Sequence, residues 1–475
     1  MLNRITKNYL YNVFYQLFVL LVPIIITPYL ARVLGPSNLG IYSYVSSVTN
    51  VISIFTLLGI YTYGNRQIAY ERNDKHKMNQ TFWEIMLIRI GIAIVGSLVY
   101  FAVAFCLKEF TIYFLYYYFF LLAAYVDCTW LYVGVEDMRP AVLKNFFAKI
   151  AGVICIFIFV KNSDDIGKYL LILSISILVA NLTAYVELGK YIGPIKINIH
   201  RLFKHFKDSL LLFLPTVALL LYLQVDKIMI EWFTKQTAQV AFYDNAEKII
   251  MIPLTFITLL STVMMPRIAN EHKQGNKSTI SDLIIRAAKI SLFLSCPMAF
   301  GIGILASGFI PWYLGKDFFP VIAALYLLCP IIISNSLEGI SGKQYFTATN
   351  RIKILTITYT STAILNILLN IVLIPKFNFY GAAIATLCSS YLSVTIQFVI
   401  MGREINLKIL LSPFIKYLLM AVIMFIVVFV ATYQMNPSVL KTIVQILIGC
   451  SCYMLQALFI KDEVFFKILK EKSIV

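Results

Sequence analysis

Apolar residues run along this chain in blocks of about twenty or more, long enough to cross a ~30 Å hydrocarbon layer as helices. Polar corners separate the blocks. The pattern predicts fourteen membrane-spanning helices, at 9–33, 38–62, 81–106, 111–133, 141–160, 167–189, 208–232, 240–265, 283–308, 319–341, 353–374, 380–402, 411–433 and 439–460. No small-residue cleavage site follows the first block, so it is read as a retained span. The connections are short, the longest being 63–80, 190–207 and 266–282.

Composition agrees: 60% of the 475 residues are hydrophobic and 13% are charged. A water-soluble chain carries about a quarter charged residues, and a single soluble core stops growing near ~300 residues. The expected fold is therefore all-α and polytopic.

A net charge of +17 suggests nucleic acid until the positions are read. Lysines and arginines collect on alternate connections, 23 on one side against 6 on the other, the latter being Arg32, Lys108, Lys161, Lys235, Lys316 and Lys376. Short loops rich in Lys and Arg stay in the cytoplasm, so both termini are expected there. The charge is then a topology signal, and no nucleic-acid partner is implied.

A weak internal echo accompanies the helices. Gly40, Ile41 and Tyr42 open the second span as Ala241, Phe242 and Tyr243 open the eighth, an offset of 201 residues. Two parallel six-helix repeats follow from it: residues 1–200 (spans 1–6) and 201–405 (spans 7–12), with two further helices and a tail in 406–475.

The eight cysteines form no CxxC pair and the four histidines fall in polar connections. There is no GxxxxGK phosphate loop. No cofactor or metal is expected, and an ATP-driven pump would need a separate subunit.

Ionisable side chains at membrane depth are costly and are functional candidates by default. Arg89 in span 3 and Asp127 in span 4 have matching depths, either as a structural pair or as a substrate or ion site. Asp226, Lys227 and Glu231 in span 7 lie near the depth of Glu247 and Lys248 in span 8, again as a coupling-ion site or a structural network. Lys149 lies in the inner half of span 5. Arg32, at the outer end of span 1, either snorkels or meets a ligand. Glu338 reads as a helix-end residue, and Pro23, Pro28, Pro215, Pro253, Pro297 and Pro330 suggest broken spans.

Four stretches in register carry a resemblance: PYLARVLGPSNLGIYSY (28–44), YTYGNRQIAYERN (61–73), DCTWLYVGVEDMRPAVLKNFFAKI (127–150) and VDKIMIEWFTKQTAQVAFYDNAEKI (225–249). Together with fourteen spans, the series resembles the polysaccharide-repeat-unit flippases (O-antigen and capsule translocases) of the multidrug/oligosaccharidyl-lipid/polysaccharide exporter superfamily. The resemblance implies two lobes around a central cavity of alternating access in a bacterial cytoplasmic membrane. It implies transport rather than catalysis, of undecaprenyl-diphosphate-linked oligosaccharide from the inner to the outer leaflet for surface polysaccharide assembly. It also implies cavity cations, carried here to Arg32, Arg89, Lys149 and Lys227. Asp127, Asp226, Glu231 and Glu247 are then the acidic candidates for Na⁺ or H⁺ coupling or for structure. Partners would include a polymerase and a chain-length regulator. The alternatives are an ion-coupled multidrug exporter of the same superfamily, and a membrane glycosyltransferase or polymerase, which the small outer loops disfavour.

Overall fold

The computed structural model describes residues 4–57, 59–137, 139–194 and 199–470. These residues are helical throughout their regular structure, with no strand among them. By packing they divide into two compact units, one up to Ile228 and one from Met229.

The first unit begins with α1 (Arg4–Leu57), whose two arms meet at Gly35. Gly35 has φ 71° and ψ 175°, a backbone conformation open essentially to glycine alone. The Asn38 amide closes this corner by donating to the Leu34 carbonyl at 3.1 Å and to Ser163 O at 2.8 Å. Tyr29 donates to Val160 O at 2.6 Å, which fastens the other side of the corner. The GPSN turn is therefore bound to the turn after α6.

Next come α2 (Ile60–Glu71), α3 (Lys75–Cys106), α4 (Thr111–Val126), α5 (Thr129–Gly134), α6 (Arg139–Phe159), α7 (Ile166–Ala184) and α8 (Ile199–Thr234). Asp74 starts α3 by accepting from the amides of His76 and Lys77, at 3.1 and 3.2 Å. The aromatic core of this unit sets Trp130 of α5 over Phe82 of α3, with Tyr63, Ile68, Cys128 and Tyr132 around them. The opposite side of α3 exposes Ile94, Val95, Leu98 and Val99. Such a stripe is unfavourable in water and expected against lipid.

The second unit holds α9 (Thr237–Lys273), α10 (Lys277–Tyr313), α11 (Pro320–Leu328), α12 (Ile331–Glu338), a π-helical segment Gly339–Thr347, α13 (Ile352–Phe377), α14 (Phe379–Met401), α15 (Leu407–Thr432), α16 (Val439–Phe459) and α17 (Glu463–Lys470). A polar seam joins α12 to α14. Ser334 and Ser390 hydroxyls stand 2.6 Å apart, Ser393 donates to Glu338 at 2.8 Å, and Ser341 donates to Gln397 at 2.6 Å. Hydrogen bonds between buried side chains specify helix register where lipid and core are equally apolar. Glu338, expected at a helix end, instead lies where α12 passes without a break into the π-helical segment Gly339–Thr347.

Ten helical segments among the described residues are long and apolar enough to cross a membrane, so the protein is a multi-pass membrane protein. Expected spans 1 and 2 fall on the two arms of α1, span 5 on the shorter apolar stretch Asn145–Phe159, and spans 7 and 8 on α8 and α9. Of the prolines expected to break spans, Pro330 separates α11 from α12. Pro23, Pro28, Pro253 and Pro297 lie inside continuous helices, each removing one backbone hydrogen bond without ending the helix.

Candidate functional site

The last carbonyls of a helix lack partners within it, and α4 ends inside the membrane-spanning region. Its final residue is followed by Asp127 at φ −64°, ψ 119°, an extended conformation that stops the helix. The freed carbonyls are met by side chains of neighbouring helices. Asn181 donates to Ala123 O at 2.8 Å and Tyr185 to Val126 O at 2.7 Å. The Arg89 guanidinium forks across the other two, to Ala124 O at 2.5 Å and to Asp127 O. Its charge also opposes the negative end of the helix dipole.

Arg89 is 2% exposed. The structure thus brings Arg89 and Asp127 together, but through the main chain. The Asp127 carboxylate is turned to the Thr129 amide at 2.8 Å, where it starts α5. Depth matching placed the two residues side by side; it could not show that a helix end would be the recipient of the cation.

The remaining candidates are distributed over α1, α6, α8 and α9. Arg32 is exposed, three residues before the Gly35 corner. Lys149 is half-buried in the apolar stretch of α6, and Lys227 is half-buried in α8. Asp226 and Glu231 on α8 are buried, at 3% and 5% exposure. Lys227 and Glu231, four residues apart, share a helix face. On α9 the half-buried Glu247 neighbours an ion pair between Lys248 and the buried Asp244, 2.5 Å long.

One buried polar cluster was not anticipated from the sequence. Glu84 of α3 is wholly buried, Tyr63 of α2 is 1% exposed and His205 of α8 is 4% exposed. The Tyr63 hydroxyl lies 2.7 Å from His205 Nδ1, and His205 Nε2 lies 3.0 Å from Glu84 Oε2. Gln80 donates to Glu84 Oε1 at 2.8 Å. Arg201 stands 3.5 Å from Glu84 and 3.7 Å from Glu71. Burial holds the His205 imidazole below its ordinary value near 6.5, against the pull of Glu84. Burial, with Asp208 nearby, pushes the Tyr63 phenol up to about 12. The sequence signal was present: Glu84 opens an apolar run, and a carboxylate there requires a partner. The partner lies 121 residues away, beyond any local spacing argument.

Known proteins supply the family. The family model described as "Polysaccharide biosynthesis protein" matches residues 5–272, and that of "Lipid II flippase MurJ" matches residues 146–450. A protein of Escherichia coli (strain K12) that carries the name of an O-antigen transporter is 23% identical over 405 residues, covering 82% of this chain and 95% of that protein. Among solved structures, lipid II flippase MurJ in an inward closed conformation is similar at a TM-score of 0.75 and 17% identity, over 96% of this chain and 99% of that one. An inward-facing MATE family multidrug transporter is similar at 0.67 and 14% identity, over 85% and 96%. Family match and shared fold point the same way: the chain belongs to the polysaccharide biosynthesis protein family, as a polysaccharide flippase of the multidrug/oligosaccharidyl-lipid/polysaccharide exporter superfamily.

Proposed function

We propose that this protein moves undecaprenyl-diphosphate-linked oligosaccharide repeat units from the inner to the outer leaflet of the bacterial cytoplasmic membrane, by alternating access of two six-helix lobes. Both termini are cytoplasmic in this reading. The observation that carries it is the presence, in a chain of this family, of basic side chains at membrane depth that are only half-buried, Lys149 on α6 and Lys227 on α8. A lysine in hydrocarbon costs several kcal/mol and is kept where it meets an anion. A diphosphate is such an anion, and Arg32 at the outer end of span 1 is the cation that would meet it there. Arg89, committed to the end of α4, supports the framework of that unit rather than the ligand.

The electrical direction is favourable. Carrying a dianion outward against an inside-negative potential of ~100 mV gains roughly 4.6 kcal/mol, at about 2.3 per charge. Return of the empty cationic cavity carries positive charge toward the negative inside, so the field does not oppose that step, and Asp226 or Glu231 would take up Na⁺ or H⁺ as the coupling ion.

The test is deletion of the gene in a strain with a defined surface polysaccharide. Lipid-linked repeat units should accumulate in the inner leaflet and surface polysaccharide should be lost. Normal surface polysaccharide combined with raised sensitivity to cationic drugs would replace this reading with the multidrug-exporter one.

A further inference from the structure

The Tyr63–His205–Glu84 cluster joins the start of α8 to α2 and α3 through one imidazole, and with that imidazole neutral each of its hydrogen bonds has a donor and an acceptor. Glu84, as a carboxylate, only accepts, so His205 Nε2 carries the proton in that bond. Nδ1 is then the acceptor for the Tyr63 hydroxyl, which is the hydroxyl's hydrogen-bond partner. With neutral His205, each of these buried polar atoms is satisfied. When a proton from water binds the Nδ1 lone pair, Nδ1 becomes a donor facing the phenol oxygen. The phenol proton of Tyr63, a residue 1% exposed, must then turn away from His205.

The groups facing the imidazole do not cancel this. Glu84 from α3, Arg201 from α8 and Glu71 from α2 act on the imidazole, while Asp208 and Arg66 act on the Tyr63 phenol. Arg66 lies over the Tyr63 ring at 5.8 Å. Arg201 already pairs with both carboxylates that would welcome an imidazolium. Behind the cluster the core is formed by Trp130, Phe82 and the buried Cys128 thiol. Gly59, just before α2, is packed so tightly on α8 that a Cβ would lie 3.3 Å from Phe213 N, so separation of the cluster displaces whole helices.

We infer that Tyr63, His205 and Glu84 form a proton-binding latch: neutral His205 fastens the start of α8 to α2 and α3, and a proton on Nδ1 releases it. Because α8 continues to Asp226 and Lys227, release moves the helix that carries candidate ligand-facing charges. That coupling to transport rests on the translocation proposed above; the proton site itself does not.

The test uses the full-length chain in lipid nanodiscs with isotope-labelled histidine, the His205 signal being assigned by its loss in His205→Gln. His205 should titrate below its ordinary value near 6.5. Tyr63→Phe, which removes the phenol proton, should raise its midpoint by about one pH unit, and Glu84→Gln should lower it by about as much. An ordinary midpoint unmoved by either substitution overturns the latch. In proteoliposomes supplied with an undecaprenyl-diphosphate-linked repeat unit, the wild-type rate should change about tenfold between pH 7.5 and 5.5, and His205→Gln should flatten that profile. A profile unchanged by His205→Gln overturns the coupling. No translocation by wild-type protein at any pH refutes the proposed function, and the titration still decides the proton site.

Discussion

Replacing Arg89 with methionine separates a framework role from a ligand role, because the structure fixes what is lost. Two hydrogen bonds from a charged donor disappear, at Ala124 O and Asp127 O, each contributing about 1.5–3 kcal/mol. Part of that is offset, since a guanidinium 2% exposed carries a desolvation penalty. The net loss works out at about 3 kcal/mol, which lowers the unfolding temperature by about 3 °C in a chain of this size. Arg89→Lys keeps the charge but reaches one carbonyl, so it should lose about half as much. The assay is thermal unfolding of purified protein in nanodiscs, followed by tryptophan fluorescence, with membrane abundance measured in parallel. An Arg89→Met protein with wild-type stability and abundance but no polysaccharide export would refute the framework reasoning and return Arg89 to the ligand.

Lys149→Met should behave oppositely. Export should fall at least tenfold, measured as surface polysaccharide per cell, while the protein remains abundant in the membrane. Gly64→Ala should destabilise the first unit by about 1–3 kcal/mol, read as a lower unfolding temperature, because its Cβ would lie 2.6 Å from Trp130 Cε3 in a packed core. Arg351 forks onto Glu404 at 2.6 and 2.9 Å outside the membrane and holds that carboxyl below its ordinary value. A depressed carboxyl stabilises above its ordinary value and loses that contribution as pH falls through the lowered one. Arg351→Lys should therefore cost about 0.5 kcal/mol at pH 7 for this solvent-screened pair, and the difference from wild type should close below about pH 4.

The membrane character and the succession of helices were legible because hydropathy is local. Twenty apolar residues demand a helix in lipid whatever they pack against. The GPSN corner was legible for a related reason, since Gly35 and Pro36 break the pattern where they stand. What hydropathy could not show was where a helix ends within an apolar stretch. α4 stops at Asp127 because three other elements bring donors to its carbonyls: Arg89 from α3, Asn181 from α7, and Tyr185 from the turn that follows α7. The proline expectation, met at Pro330, failed at Pro253 and Pro297 for the complementary reason: they remove a hydrogen bond but leave the helix running. In both cases packing between helices decides the outcome, and it is absent from a one-dimensional pattern.

The buried charges of the first unit sort by how completely the protein answers them. Arg89 is met by two carbonyls at a helix end, its buried Nε having no partner, and Glu84 is met by Gln80, His205 and Arg201. For a diphosphate to take both terminal nitrogens of Arg89, it would have to displace bonds worth several kcal/mol. Lys149 and Lys227 are only half-buried at membrane depth, so an arriving anion can approach them. The family resemblance made Arg32, Arg89, Lys149 and Lys227 candidates together. Burial divides them: the most deeply buried, Arg89, is the one least able to serve a moving ligand, and its loss should be felt first in folding.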